Sequence, residues 1–132
     1  MVAVDFDGTI VENCYPEIGD EIPFACETLK ALKNKGFHLI LWTFRAGKPL
    51  EEAVDFCKGK GVEFYAVNKN YPEEQFNEEI SRKIHADIYL DDRNLGGLPD
   101  WGEIYEMLCP EESNAFFYQR RRGFFSRLFN LK

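Results

Sequence analysis

Four aspartates fall in two tight pairs: Asp5 and Asp7 within Asp5-Phe6-Asp7-Gly8-Thr9, and Asp91 beside Asp92. Between the pairs lie Thr43, Arg45, Lys48 and Lys83, and Arg93 follows the second pair directly. An isolated Asp-x-Asp-Gly could also be the ordinary exit of a strand into a turn, because Asp and Gly are both turn formers. Two such pairs brought to one place are a different matter. Gathered carboxylates repel and are costly to desolvate unless a cation neutralises them. Oxygen-only ligands point to Mg²⁺ rather than to zinc. Sulfur contributes little to such a site: Cys14, Cys26, Cys57 and Cys109 are widely and irregularly spaced, with no C-x-x-C pattern. They read as reduced, mostly structural thiols.

The elements that would bring the acids together follow from hydrophobic periodicity. Residues 2–6 are short, apolar and partly β-branched, as suits a buried strand, and Gly8 ends it. Residues 20–35 show helical spacing, with Asp20 as a cap, Pro23 in the first turn and Gly36 at the end. A second strand is predicted over 37–43. A helix opening at Pro49 ends at Gly59 and Gly61, and a third strand covers 63–67. A polar loop with Asn68, Asn70 and Pro72 leads into a short helix reaching Ile84. The fourth strand is 87–90, and a last helix spans about 100–108. Strands alternating with helices predict an α/β fold: a Rossmann-like parallel sheet with helices on both faces and right-handed connections. In such sheets ligands sit beyond the carboxyl ends of the strands. Three of the four predicted strands end there in polar residues: Asp5 to Thr9, Thr43 with Arg45, and Asp91-Asp92.

These residues resemble, in order, the four motifs of the haloacid dehalogenase (HAD) superfamily of phosphotransferases. Asp5-Phe6-Asp7-Gly8-Thr9 matches the first motif and Thr43 after Leu39-Ile40-Leu41-Trp42 the second. Lys83 is the candidate for the third, with Lys69 as its rival, and Asp91-Asp92 matches the fourth. The resemblance covers about residues 1–108. It implies that Asp5 is the nucleophile, taking the phosphoryl group as an aspartyl phosphate, and that Asp7 is the general acid and base. It implies Mg²⁺ held by Asp5, the backbone carbonyl of Asp7, Asp91 and Asp92. Thr43 would bond a phosphoryl oxygen, and Lys83 would offset charge around Asp5. Gly8, Thr9, Thr43, Arg45 and Arg93 are the expected substrate-binding set. Gly8 is needed because the chain turns sharply beside the nucleophile. Arg45, Lys48 and Arg93 either meet a second anionic group on the substrate or pair with local acids. Tyr15 and Trp42 read as core or site wall, and His38 and His85 as packing and helix-end residues without a catalytic part.

About 33 residues separate Thr9 from Thr43 and about 39 separate Thr43 from Lys83. The predicted core elements fill both gaps, so a HAD-type domain without a cap and with an open site is expected over residues 1–112. The activity implied is Mg²⁺-dependent hydrolysis of phosphomonoesters through Asp5. The alternatives are transfer to another acceptor, as in a phosphomutase, and a non-catalytic module binding phosphate or Mg²⁺.

Composition bounds the remainder. The chain has 132 residues, 45% hydrophobic and 30% charged, with 12 Phe, 6 Tyr and 2 Trp, which is globular and not low-complexity. No apolar run nears the ~20 residues of a membrane-spanning helix. Met1-Val2-Ala3-Val4-Asp5 lacks the pattern of a secretory signal, so a cytoplasmic location is the expectation. Residues 1–114 hold all 23 acids and 11 of the 16 bases, a balance of −12, which disfavours nucleic acid as a partner. Residues 113–132 form a basic, aromatic tail carrying Arg120, Arg121, Arg122 and Arg127. Three readings stand for it: packing on the acidic body, contact with a membrane surface or anionic partner, and a subunit interface of a homo-oligomer.

Overall fold

The structure is a computed structural model that describes residues 1–112; the basic aromatic tail lies outside the described residues. The chain divides into two compact units, Met1–Leu98 and a second beginning at Pro99.

The first unit is built on four short parallel strands: β1 (Val2–Val4), β2 (Leu39–Leu41), β3 (Ala66–Val67) and β4 (Ile88–Leu90). Their order in the sheet is β3-β2-β1-β4. All residues of β1 and β2 are buried, as the apolar runs require of central parallel strands. Helix α1 (Ala25–Asn34) joins β1 to β2, and α2 (Gly47–Gly59) joins β2 to β3. Right-handed crossovers running the same way along the sheet put α1 and α2 on one face. The connection from β3 to β4 runs the opposite way and so covers the other face. There Ala3, Ile40 and Ala66 pack with Ile84, and Trp42, Ala86 and Tyr89 flank them.

The predicted sheet is present, with shorter strands, while two of its expected surroundings differ. Residues 20–22 are not helical. They pair with the chain leaving β1: the Glu12 N–H donates to the Asp20 carbonyl at 2.8 Å, and the Ile22 N–H to the Ile10 carbonyl at 2.8 Å. The 10–22 segment is therefore an antiparallel excursion bridged at Val11 and Glu21. Helix α1 starts after it, at Ala25, and its cap residue Phe24 is left-handed, with φ 67°.

The second difference lies before β4, where no helix forms. Side chains capture the backbone instead. The Asn70 side chain donates to both Glu74 carboxylate oxygens and accepts from the His85 N–H, while Asn77 accepts from the Glu79 N–H. Phe76, the apolar residue that would have anchored a helix there, is exposed. The connection from β3 to β4, on the face bearing Ala3 and Ile40, is thus an irregular segment where a helix was expected.

The second unit holds helix α3 (Trp101–Leu108), capped by the Asp100 carboxylate accepting from the Glu103 N–H at 2.9 Å. A single 3-10 turn, Pro110–Glu112, follows it. No helix among the described residues is long and apolar enough to cross a membrane.

Candidate active site

Strand register determines which residues meet. Val4 lies opposite Leu41 on one side and Leu90 on the other. The Asp5 N–H donates to the Leu90 carbonyl at 2.9 Å, and the Trp42 N–H to the Val4 carbonyl at 2.8 Å. The residues after these strands, Asp5, Thr43 and Asp91, therefore leave the sheet side by side at its carboxyl edge. They line one cavity of about 760 Å³, together with Asp7 and Arg93.

Asp5, Asp91 and Asp92 each offer a carboxylate oxygen, and these atoms lie within 4.8 Å of one another. Thr9 ties the group together from below. Its side chain is buried, accepts from the Asp92 N–H at 3.1 Å, and has its proton within reach of Asp92 Oδ1 (3.2 Å) and Asp5 Oδ2 (3.3 Å). Burial, and after it the neighbouring Asp91, pushes Asp5 up to about 7 from the ordinary 3.8. Burial and the neighbouring carboxylates both disfavour the charged form of Asp5. Three hard oxygens with no thiolate or imidazole among them form a group that could hold a hard cation.

Gly8 has φ +86°, and a Cβ placed on it would come 2.4 Å from Asp92 Oδ2. Only glycine lets the chain turn here and the Asp92 carboxylate approach at once. Gly8 and Thr9, expected to bind substrate, shape and hold the carboxylates.

Arg45 takes up a local acid and is closed to substrate. It is 1% exposed, and all five of its N–H donors are taken. Nε and one terminal nitrogen form a fork on Asp7, both at 2.8 Å. The remaining bonds go to the carbonyls of Pro16, Glu17 and Pro49. The guanidinium lies over the rings of Phe6 (5.0 Å) and Tyr15 (5.2 Å). Donating to Asp7 raises its proton affinity further. Of the two readings open for Arg45, pairing with a local acid is the one realised, and the Asp7 side chain stands with Arg45 rather than within the group of three carboxylates.

Thr43 is held by a residue that sequence reasoning passed over. Its N–H donates to Asn68 Oδ1 at 2.8 Å, and Asn68 adopts φ 54° to present that oxygen. The Thr43 hydroxyl oxygen accepts from the Arg45 N–H at 3.1 Å, so its proton remains available to the cavity. An Asn directly after an apolar strand, tolerant of the left-handed region, was the signal available. Arg93 is exposed at the cavity, its N–H donating to Asp91 Oδ1 at 2.8 Å. Tyr15 and Trp42 form part of the cavity wall, as expected, and are joined by Phe44.

Lys83 stands apart from this cluster. With no helix to carry it, it is exposed, its ammonium 5.1 Å from the centre of the Tyr89 ring, and it does not line the cavity. Lys69 follows β3 beside Asn68, and among the described residues no ion pair joins it or Lys83 to Asp5. Lys48 makes only a loose pair with Glu52, at 4.0 Å. His38 packs edge-on to Tyr65. Burial pushes the thiols of Cys26 and Cys57 up to about 12, which makes them poor nucleophiles.

A conserved protein from Bacteroides thetaiotaomicron, known by its structure, is 56% identical to this chain. The match covers 89% of this chain and 95% of that one, with a TM-score of 0.79. The chain belongs to the family of that conserved protein. No protein-family model matches the chain, and no curated protein does.

Proposed function

We propose that the protein is a Mg²⁺-dependent phosphomonoester hydrolase of the HAD type, without a cap domain. The observation that carries this reading is the trio Asp5, Asp91 and Asp92, bridged by buried Thr9 at the carboxyl edge of a parallel sheet. Mg²⁺ held by these carboxylates would supply charge neutralisation, letting anionic carboxylate and anionic phosphate approach.

Asp5 attacks phosphorus. A bond forms from its carboxylate oxygen to phosphorus as the bond to the ester oxygen breaks, and Asp7 gives that leaving oxygen a proton. Asp7 then takes a proton from the incoming water, whose oxygen displaces Asp5 and releases phosphate. Each Asp7 oxygen has a second lone pair, so the carboxylate can accept the proton of water while paired with Arg45. Carrying a proton to the leaving oxygen weakens one of the two bonds from Arg45. The Thr43 hydroxyl donates to a phosphoryl oxygen. Arg93, at the cavity rim, supplies the positive charge that Lys83 was expected to bring, and Lys83 keeps no part in the proposal.

The test is hydrolysis of an aryl phosphate with and without Mg²⁺. Asp5→Asn abolishes turnover while the fold persists, and Asp7→Asn lowers the rate by about 10²–10⁴. Wild-type activity in Asp5→Asn overturns the reading.

A further inference from the structure

Beside the carboxylates the cavity wall is aromatic. Phe44 stands between Thr43 and Arg45 in the chain, and its side chain is 88% exposed. Its backbone is nonetheless fixed on both sides. The Thr43 N–H is held by Asn68, the Arg45 N–H by the Thr43 hydroxyl, and the Arg45 side chain by five bonds. The partner of Phe44 is Tyr15, also exposed, whose ring meets it edge-to-face at 5.9 Å and 70°. Tyr15 is set in turn by the buried guanidinium of Arg45, 5.2 Å from its ring centre.

Phe44 and Tyr15 differ from the other exposed aromatics in lining the cavity that holds Asp5, Thr43 and Asp91, where they offer a ligand an apolar face. Rigid aromatics lose little freedom on binding, so they recognise flat ligands at small entropic cost. The same residues that position the Phe44–Tyr15 pair also position Thr43 and Asp7, so whatever packs on the pair is in register with the phosphate site.

We propose that the substrate is a phosphomonoester bearing a planar aromatic or heteroaromatic ring, and that the ring packs against Phe44 and Tyr15 while the phosphate faces Asp5. This substrate class rests on the hydrolase reading above. Nucleoside 5′-monophosphates and benzyl-type phosphates share the required chemistry. Sugar phosphates and other ring-free or saturated esters lack it.

Matched pairs test this, because each pair shares its ester type and so its intrinsic reactivity. The first is adenosine 5′-monophosphate against ribose 5-phosphate. The second is benzyl phosphate against cyclohexylmethyl phosphate. With Mg²⁺, the wild-type protein is expected to favour the aromatic member of at least one pair by about tenfold or more in kcat/KM, within what a base stacked on an aromatic side chain contributes. The pair that shows it separates the nucleotide from the simple aryl source. Phe44→Ala, at an exposed position that leaves folding intact, collapses that ratio toward one, and Phe44→Trp keeps it. A ratio near one in both pairs, or a ratio indifferent to Phe44→Ala, overturns the proposal while leaving the hydrolase reading intact. If the wild type hydrolyses no ester, calorimetric titration of the wild-type protein in Mg²⁺ with the same four compounds decides. A binding preference for the aromatic member that Phe44→Ala removes upholds the ring site and rejects hydrolysis. No preference rejects the ring site as well.

Discussion

Asp5 makes the stability of the fold depend on pH. Its carboxyl holds a proton more tightly when folded, up to about 7, than in the unfolded chain, near 3.8. The native state then binds more protons, so stability falls as pH rises between those values. The contribution is fully present below about 3.8 and is lost as pH passes through about 7. Urea unfolding in chelator should therefore show a declining free energy from pH 4 to 7 from this group. Adding Mg²⁺ should flatten that decline, because the ion takes the ionised carboxylate. Thr9→Val keeps the shape of a buried side chain but leaves the Asp92 N–H without its acceptor. It should cost about 1–3 kcal/mol of stability. It should also weaken Mg²⁺ binding by about 10–100-fold, as loss of a ligand-orienting partner does. Arg45→Met should cost more, about 3–5 kcal/mol, because it strands Asp7 and three carbonyls. Unfolding midpoints measured with unchanged m-values would check both.

Among the elements, the strands and α2 were legible because their signals are periodic. Leu39-Ile40-Leu41 is continuously apolar, as a strand buried on both faces must be, and Pro49 falls in the first turn of α2. Where the expected helices do not form, backbone groups are bonded outside the helical i to i−4 pattern, by strand-like pairing in one case and by side chains in the other. Asp20 and Pro23 look like a helix start, yet the carbonyl of Asp20 is claimed by Glu12. The acid-rich segment after Pro72 looks helical, yet Asn70 and Asn77 hold its backbone in turns. Of the site, Asp5 and Asp91 with Asp92 were readable from their strand-end positions. For Arg45 two readings stayed open, because a buried arginine is spelled like an exposed one. Asn68 shows how a loop tunes a neighbouring strand end. Asn68→Ala removes the acceptor that holds the Thr43 N–H, so phosphate-ester kinetics should show KM rising more than kcat falls. Gly8→Ala forces a Cβ to 2.4 Å from Asp92 Oδ2 and strains φ +86°. It should abolish detectable Mg²⁺ binding in a calorimetric titration while the helical circular dichroism signal persists.

Across the whole molecule, charge and metal are linked. The chain carries a formal net charge of −7, and its most costly negative charges are the ones drawn together at the sheet edge. An ion that binds only the native arrangement should therefore act as a stabiliser. At a hundredfold excess over its Kd it should add about 2.7 kcal/mol, read as a higher Tm in Mg²⁺ than in chelator. Asp5→Asn should lose most of that increment and, having shed a raised carboxyl, should be the more stable of the two proteins in chelator at neutral pH.

The strand order has a temporal side. Because β4 pairs with β1, residue 5 and residue 91 become neighbours only when nearly the whole first unit has been made. A growing polypeptide that stops short of β4 leaves β1 with one flank unpaired and possesses half of its ion-binding oxygens at most. Catalytic competence would thus arrive late in synthesis and all at once, so that premature termination products are inert toward phosphate esters rather than partly active.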